Sequence, residues 1–281
     1  MKQTLAEIYD YRQMIVGLVR RDLRGRYKGS VLGFLWTFIN PLLQLLVYTL
    51  VFGFLFKNND KPNFYLYVFV GLIPWIFFSS CLTGGCGAVL DQSGLVTKVY
   101  FPREVLPISY VSSQFMNMLY CFVIVLAVYI FGAFSSVNSA GFVWGLPWDL
   151  HAGFSFLPVL SLPLLFIIQY LMCLGMTLFT SAITVYVRDV RHILGIIGML
   201  WMFATPIMWF KEQFNDHHTI QTLLIYVNPM GGLIEGYHNI LYYGKWPDFT
   251  LLAIGLAWAV LALIVGTLVF NKAKKRFAEE M

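Results

Sequence analysis

Arg24, Arg26 and Lys28 alternate with other residues over one short stretch, with glycines at 25 and 29. Guanidinium forks and an ammonium at this spacing suit phosphate oxygens, arginine through paired N–H donors and lysine as a point charge. The flanking glycines leave room for a bulky anion to approach the backbone. The surrounding stretch, RRDLRGRYKGSVLGFLWTFINP from Arg20 to Pro41, adds Arg20 and Arg21 upstream and then enters a charge-free run from Gly29 to Phe56. Two readings fit this basic collar. It can anchor the end of a membrane helix, each cation gaining about 1 kcal/mol from anionic head groups. It can also bind a specific polyanion.

Aromatic side chains form the second group, at 17% of the chain. Trp36, Phe38, Tyr48, Phe52, Phe54 and Phe56 fall in the first apolar run, and Tyr65, Tyr67, Phe69, Trp75, Phe77 and Phe78 in the second. Interface belts and lipid-facing positions account for many of them. Trp36 to Tyr48 extends too deep for belts alone, and aromatic walls would let sugar C–H faces slide along a pore. The third group breaks apolar helices: Asn40-Pro41 with Gln44, Pro74, Pro206 in ATPIMW, and Asn228-Pro229 with Glu235. A carboxylate at bilayer depth costs roughly 2.5–3.5 kcal/mol, so Glu235 needs water or a partner.

No constellation points to covalent catalysis. The histidines are scattered, and His217-His218 sit in a polar segment suited to solvation as much as to a metal. Cys81, Cys86, Cys121 and Cys173 all lie in apolar stretches at spacings that match no zinc or redox motif. No nucleotide-binding Gly-x-x-x-x-Gly-Lys-Ser/Thr occurs, since RGRYKGS places its lysine before the glycine. A pump built on this chain would take its energy from another subunit.

The elements that position these groups are membrane helices. The chain is 59% hydrophobic and only 12% charged, with mean hydropathy +0.71. Soluble domains carry about 25% charged residues. The apolar runs are too long and uniform for barrel strands, so the expected fold is an all-α polytopic membrane protein. Residues 1–281 read as a single transmembrane domain without repeats. Residues 4–23 suit an amphipathic interface helix. Spans are expected at about 31–56, 64–90, 105–134, 157–187, 192–210 and 249–271, with KNNDKPN as a polar turn. No cleavable signal is expected, the first span serving for insertion. The loop Ser135–Phe156 is long and tryptophan-containing.

Residues 223–243 are apolar but broken by Asn228-Pro229 and Gly231-Gly232. Lysine and arginine decide whether they cross. With six spans and both ends inside, fifteen of the nineteen cations lie on the inner side; a seventh crossing would put KAKKR outside and spoil that asymmetry. The segment is therefore expected to enter from outside, turn and leave again. Re-entrant backbone is tolerated only against protein or a watery cavity.

RRDLRGRYKGSVLGFLWTFINPLLQLLVYTLVFG, VTKVYFPREVLP, ITVYVRDVRHIL, ATPIMW and YVNPMGGLIEGYHNIL, in this order over nearly the whole chain, resemble the permease subunit of ABC-2-type exporters of polysaccharides and teichoic acids. The resemblance implies six spans, an interface helix and re-entrant helices before the last span. It implies a homodimer around a central channel, each half docking a separate ATPase subunit that uses ATP and magnesium. This chain itself would bind no cofactor or metal. Arg24, Arg26 and Lys28 would meet the pyrophosphate of a lipid-linked glycan. Trp36, Phe38, Tyr48, Trp75, Trp201 and Trp209 would line the conduit. Lys98, Tyr100, Arg103 and Glu104, with Arg188 and Asp189, would couple to the ATPase.

The function expected is export of a lipid-linked polysaccharide, of O-antigen or capsule type, across a bacterial plasma membrane. Both termini would be cytoplasmic, membrane lipids and glycan the partners, and nucleic acid none. Wall teichoic acid is the alternative cargo, although its repeating phosphates would demand a more cationic channel than charge-free spans provide. A small-drug exporter would leave collar and aromatics without a shared purpose. A membrane enzyme acting on lipid-linked sugars would need acidic or histidine residues converging on one face.

Overall fold

A computed structural model describes residues 7–26, 28–55, 64–138, 157–214 and 216–280. The polar turn 57–63, most of the tryptophan-containing loop and the first residues of the interface segment lie outside these. All regular elements among the described residues are helical. We label the main ones α1 (Arg12–Gly25), α2 (Trp36–Leu55), α3 (Phe64–Thr83), α4 (Val105–Asn138), α5 (Leu162–Tyr186), α6 (Val190–Phe203), α7 (Gly231–Leu241) and α8 (Phe249–Ala273). Five segments, containing α2, α3, α4, α5 and α8, are long and apolar enough to cross a membrane.

The fifth expected span differs. Apolar character runs to Phe210, but α6 ends at Phe203 and the chain turns through Thr205-Pro206. Fourteen helical residues rise about 21 Å, against an apolar core of about 30 Å, so α6 alone falls short of a full crossing. In the opposite sense, α4 continues through the serines at 135 and 136 to Asn138.

The amphipathic α1 places Tyr11, Met14, Ile15 and Leu18 against a small apolar cluster containing Val105, Phe270 and Phe277. Its polar face reaches α4, where Ser113 donates to the Asp22 carboxylate. Gly29 (φ 83°) and Gly33 (φ 46°) then take left-handed backbone that turns the chain into α2. Within α2, Pro41 lacks the N–H that would bond Thr37 O, and the Cys121 thiol donates to that carbonyl at 3.3 Å.

Apolar on all sides, α3 is buried at the centre among α2, α4, α5, α6 and α7. The closest helix pair is α5 with α8. A Cβ on Gly266 would lie 2.1 Å from Gly175 O, and one on Gly175 would lie 2.3 Å from the Ala262 carbonyl carbon. Two backbones in direct contact suit an interface where small residues supply the packing. Gly266→Val is expected to cost about 3 kcal/mol or more, because backbone cannot yield as a side chain can. A thermal unfolding midpoint in detergent equal to the parent's would contradict this contact.

Candidate functional site

Two ends of the bundle carry polar structure, and the membrane helices connect them. At one end the four basic segments of the sequence meet. Arg21 donates to Gln92 Oε1 at 2.9 Å, joining α1 to the turn after α3. Arg191, at the start of α6, pairs with Asp91 at 2.7 Å. Gly87 leaves the space the pair occupies, since a Cβ there would meet both side chains. Tyr186 donates to Ala273 O at 2.7 Å, joining α5 to the end of α8. The residues preceding and following the bundle therefore share one end.

Collar residues Arg24, Arg26 and Lys28 are all exposed at this end. Arg26 is held by Asp22 at 3.0 Å and by Gln114 Oε1 at 3.1 Å, which places its guanidinium at the mouth of a 520 Å³ cavity between α2, α3 and α4. Arg24 and Lys28 have no ion-pair partner among the described residues and remain available to an anion.

The expected coupling residues divide into two groups. Lys98 and Tyr100 are exposed, Tyr100 at 95%, with Val99 beside them; Arg188 and Asp189 are exposed in the turn before α6. Arg103 and Glu104 instead turn inward. The Arg103 guanidinium donates to Lys274 O and lies over the Phe277 ring, while Glu104 is buried and paired with Lys274. The resemblance implies an external contact for these two. In the folded chain they brace the 97–104 segment against the tail of α8, and only the arrival of Lys274 and Phe277 reveals it.

The expected conduit aromatics do not share one surface. Trp75 is buried in the core against Phe78, at 5.3 Å between rings. Phe38 packs edge-on to Phe34, and Tyr48 reaches Met202 Sδ at 3.6 Å, bridging α2 to α6. Trp36 lines the polar cavity, and its indole donates to Ser30 Oγ at 3.1 Å. Trp201 donates to Asn228 Oδ1 at 2.8 Å, and Trp209 to Phe203 O at 3.0 Å. Phe54 and Phe56 offer no described side chain.

The opposite end is organised by the NPMGG break. Asn228 Oδ1 also accepts from Met230 N at 3.0 Å, while its Nδ2 donates to Ala204 O and Thr205 Oγ1, both at 3.1 Å. One carboxamide thus satisfies the backbone released where α6 ends and the break begins. A Cβ on Gly231 would stand 2.2 Å from Leu224 O, so the two arms of the break close tightly only with glycine. The arms are the segment Leu223–Val227 and α7.

Glu235 on α7 is 1% exposed and pairs with Lys211 at 2.6 Å, from the turn after α6. His238 stacks on Tyr67 of α3 at 3.7 Å, with Nε2 3.0 Å from Tyr67 O, and Tyr67 donates to Trp209 O at 3.0 Å. The partner that sequence demanded for Glu235 is Lys211, which lies too far along the chain for spacing to indicate.

An all-helical bundle with a basic end, a braced exposed segment at that end and a pinned helix-break-helix at the other is the framework of a membrane transporter subunit. The chain belongs to the ABC-2 type transporter family, whose profile matches residues 13–242. It is 35% identical over 281 residues to the "O-antigen export system permease protein RfbA" of Myxococcus xanthus, covering all of both chains. A Klebsiella pneumoniae protein of the same description is 28% identical over 279 residues, 99% of this chain and 98% of that one. The "Polysialic acid transport protein KpsM" of Escherichia coli is 30% identical over 82 residues, 29% of this chain and 32% of that one.

Proposed function

We propose that this chain is the membrane-spanning subunit of an exporter that moves a lipid-linked envelope glycan from the cytoplasmic to the outer face of a bacterial plasma membrane. The reading rests on one observation above the rest, identity to an O-antigen export permease over the entire length of both chains. The basic end faces the cytoplasm by the positive-inside rule, which makes the NPMGG break and α7 an outer re-entrant element and α6, with the turn beyond it, the fifth crossing. ATP is hydrolysed by a separate subunit, two copies serving two copies of this chain.

That pairing would cover exposed apolar faces of α2 and α6. Leu42, Leu46 and Leu50 of α2 and Ile193, Ile196 and Leu200 of α6 are exposed, whereas the neighbouring α3 is buried. Nucleotide binding drives export only by favouring one arrangement of the two halves over another. The exposed Val99–Tyr100 knuckle is the contact that carries this preference. Tyr100→Asp is expected to reduce ATP-driven export roughly thirtyfold, as for loss of an aromatic anchor worth about 2 kcal/mol, with membrane insertion intact. Unchanged export would place the contact elsewhere. Deleting the gene in its own host tests the whole reading. Surface glycan should vanish while its lipid-linked precursor accumulates inside; surface glycan at normal levels would contradict it.

A further inference from the structure

The cavity behind Arg26 has a lining that the collar alone does not explain. It measures 520 Å³, the size of a small-molecule site and far too small for a polymer. Four carboxamides face it: Asn40 and Gln44 from α2, Gln114 and Asn117 from α4. Asn40 and Gln44 lie one helical turn apart on the same face of α2, and both are exposed. Neither has a hydrogen-bond partner among the described residues, although α2 otherwise presents leucine and valine around them. At bilayer depth such groups are satisfied by water or by another polar occupant of the cavity.

Arg26 at its mouth is the cationic group among the described lining residues, and none of these is a carboxylate; Asp22 holds Arg26 from beside the cavity. We propose that this cavity binds the sugar that adjoins the phosphate of a lipid-linked glycan, with the phosphate on Arg26 and the sugar hydroxyls on the carboxamides. A carboxamide both donates and accepts, as a hydroxyl does, so the two match without a fixed charge. Trp36 adds an aromatic wall for the sugar's C–H face, its ring held by the bond to Ser30. The site rests on the exporter reading and deepens it: the transporter reads the first sugar as well as the diphosphate.

The test uses the full chain in phosphatidylglycerol nanodiscs and three probes. These are polyprenyl-diphospho-N-acetylglucosamine, the same polyprenyl diphosphate without sugar, and soluble uridine diphosphate N-acetylglucosamine. The parent chain is expected to hold the sugar-bearing lipid roughly tenfold more tightly than the sugarless one, the loss expected of two net hydrogen bonds. N40L/Q44L should abolish that preference while binding the sugarless lipid as before, which also certifies its fold. R26Q should weaken both lipids. The soluble sugar nucleotide should displace the lipid probe only at far higher concentration.

Equal binding of both lipids by the parent, or a preference that survives N40L/Q44L, would overturn the sugar site. Displacement by the soluble nucleotide at equal concentration would overturn the assignment to a lipid-linked ligand. Surface glycan in the gene deletion is scored separately. Export that depends on the gene, with no sugar preference, rejects the site and leaves the exporter reading standing.

Discussion

Replacing Lys211 with methionine is expected to destabilise the chain by about 3 kcal/mol, because it strands the Glu235 carboxylate. Glu235 is 1% exposed on α7, while Lys211 keeps 39% of its side chain accessible. The two halves of the pair are therefore unequal. Glu235→Gln leaves a lysine that can turn to water, and should cost about 1 kcal/mol. The double variant K211M/E235Q should recover most of the loss seen in K211M, since the uncompensated charge is gone. Unfolding midpoints of the four proteins in one detergent check this. Equal damage from both single substitutions, with no recovery in the double variant, would mean that the ion pair does not hold the turn after α6 against α7. In the exporter reading, α7 and the break before it are pinned at three points, by Asn228, by Glu235 and by His238 on Tyr67. Opening must move these together or break the pair.

Reversing Arg24, Arg26 and Lys28 to glutamate is expected to abolish export while leaving the protein in the membrane. All three are exposed, so the fold loses little beyond the Arg26 contacts to Asp22 and Gln114. The change moves three cationic sites to three anionic ones at a surface proposed to receive a diphosphate. Each charge-assisted hydrogen bond to phosphate contributes about 1.5–3 kcal/mol. Loss of two or three of these amounts to about 3–9 kcal/mol, a factor of a hundred or more in affinity before repulsion is added. Export at parental levels would reduce the collar to a topological anchor. A chain lost from the membrane would show instead that anchoring dominates; substitution to glutamine, which removes charge without reversing it, then separates the two roles.

Sequence disclosed most of the framework because membrane helices write their limits plainly. Charge-free runs contain α2, α3, α4 and α5 and nearly all of α8, since lipid disfavours charge along a span. The NPMGG break was legible for the same reason: proline and paired glycines inside an apolar run need some other source of backbone hydrogen bonds. Facing was not legible. Trp75 stood as a conduit residue, yet α3 is apolar all round and packed on all sides, so its sequence carries no stripe to show direction. Arg103 and Glu104 resemble surface charges until the tail of α8 returns, far along the chain, to bring Lys274 and Phe277 beside them. The short α6 was half visible, in that ATPIMW was read as helix-breaking, but the run of apolar residues through it hid where the helix stops. Carboxamides were legible as oddities on α2; that α4 brings Gln114 and Asn117 opposite them is information only the fold contains.

The central claim is that this chain is one half of an ATP-driven export machine for a lipid-linked glycan. Purification from its native membrane in mild detergent, followed by mass spectrometry of all retained protein and lipid, tests that claim most directly. The account predicts a stoichiometric ATPase subunit together with a polyprenyl-diphosphate-linked sugar chain. Retention of neither, from a preparation that is folded and monodisperse, would contradict it.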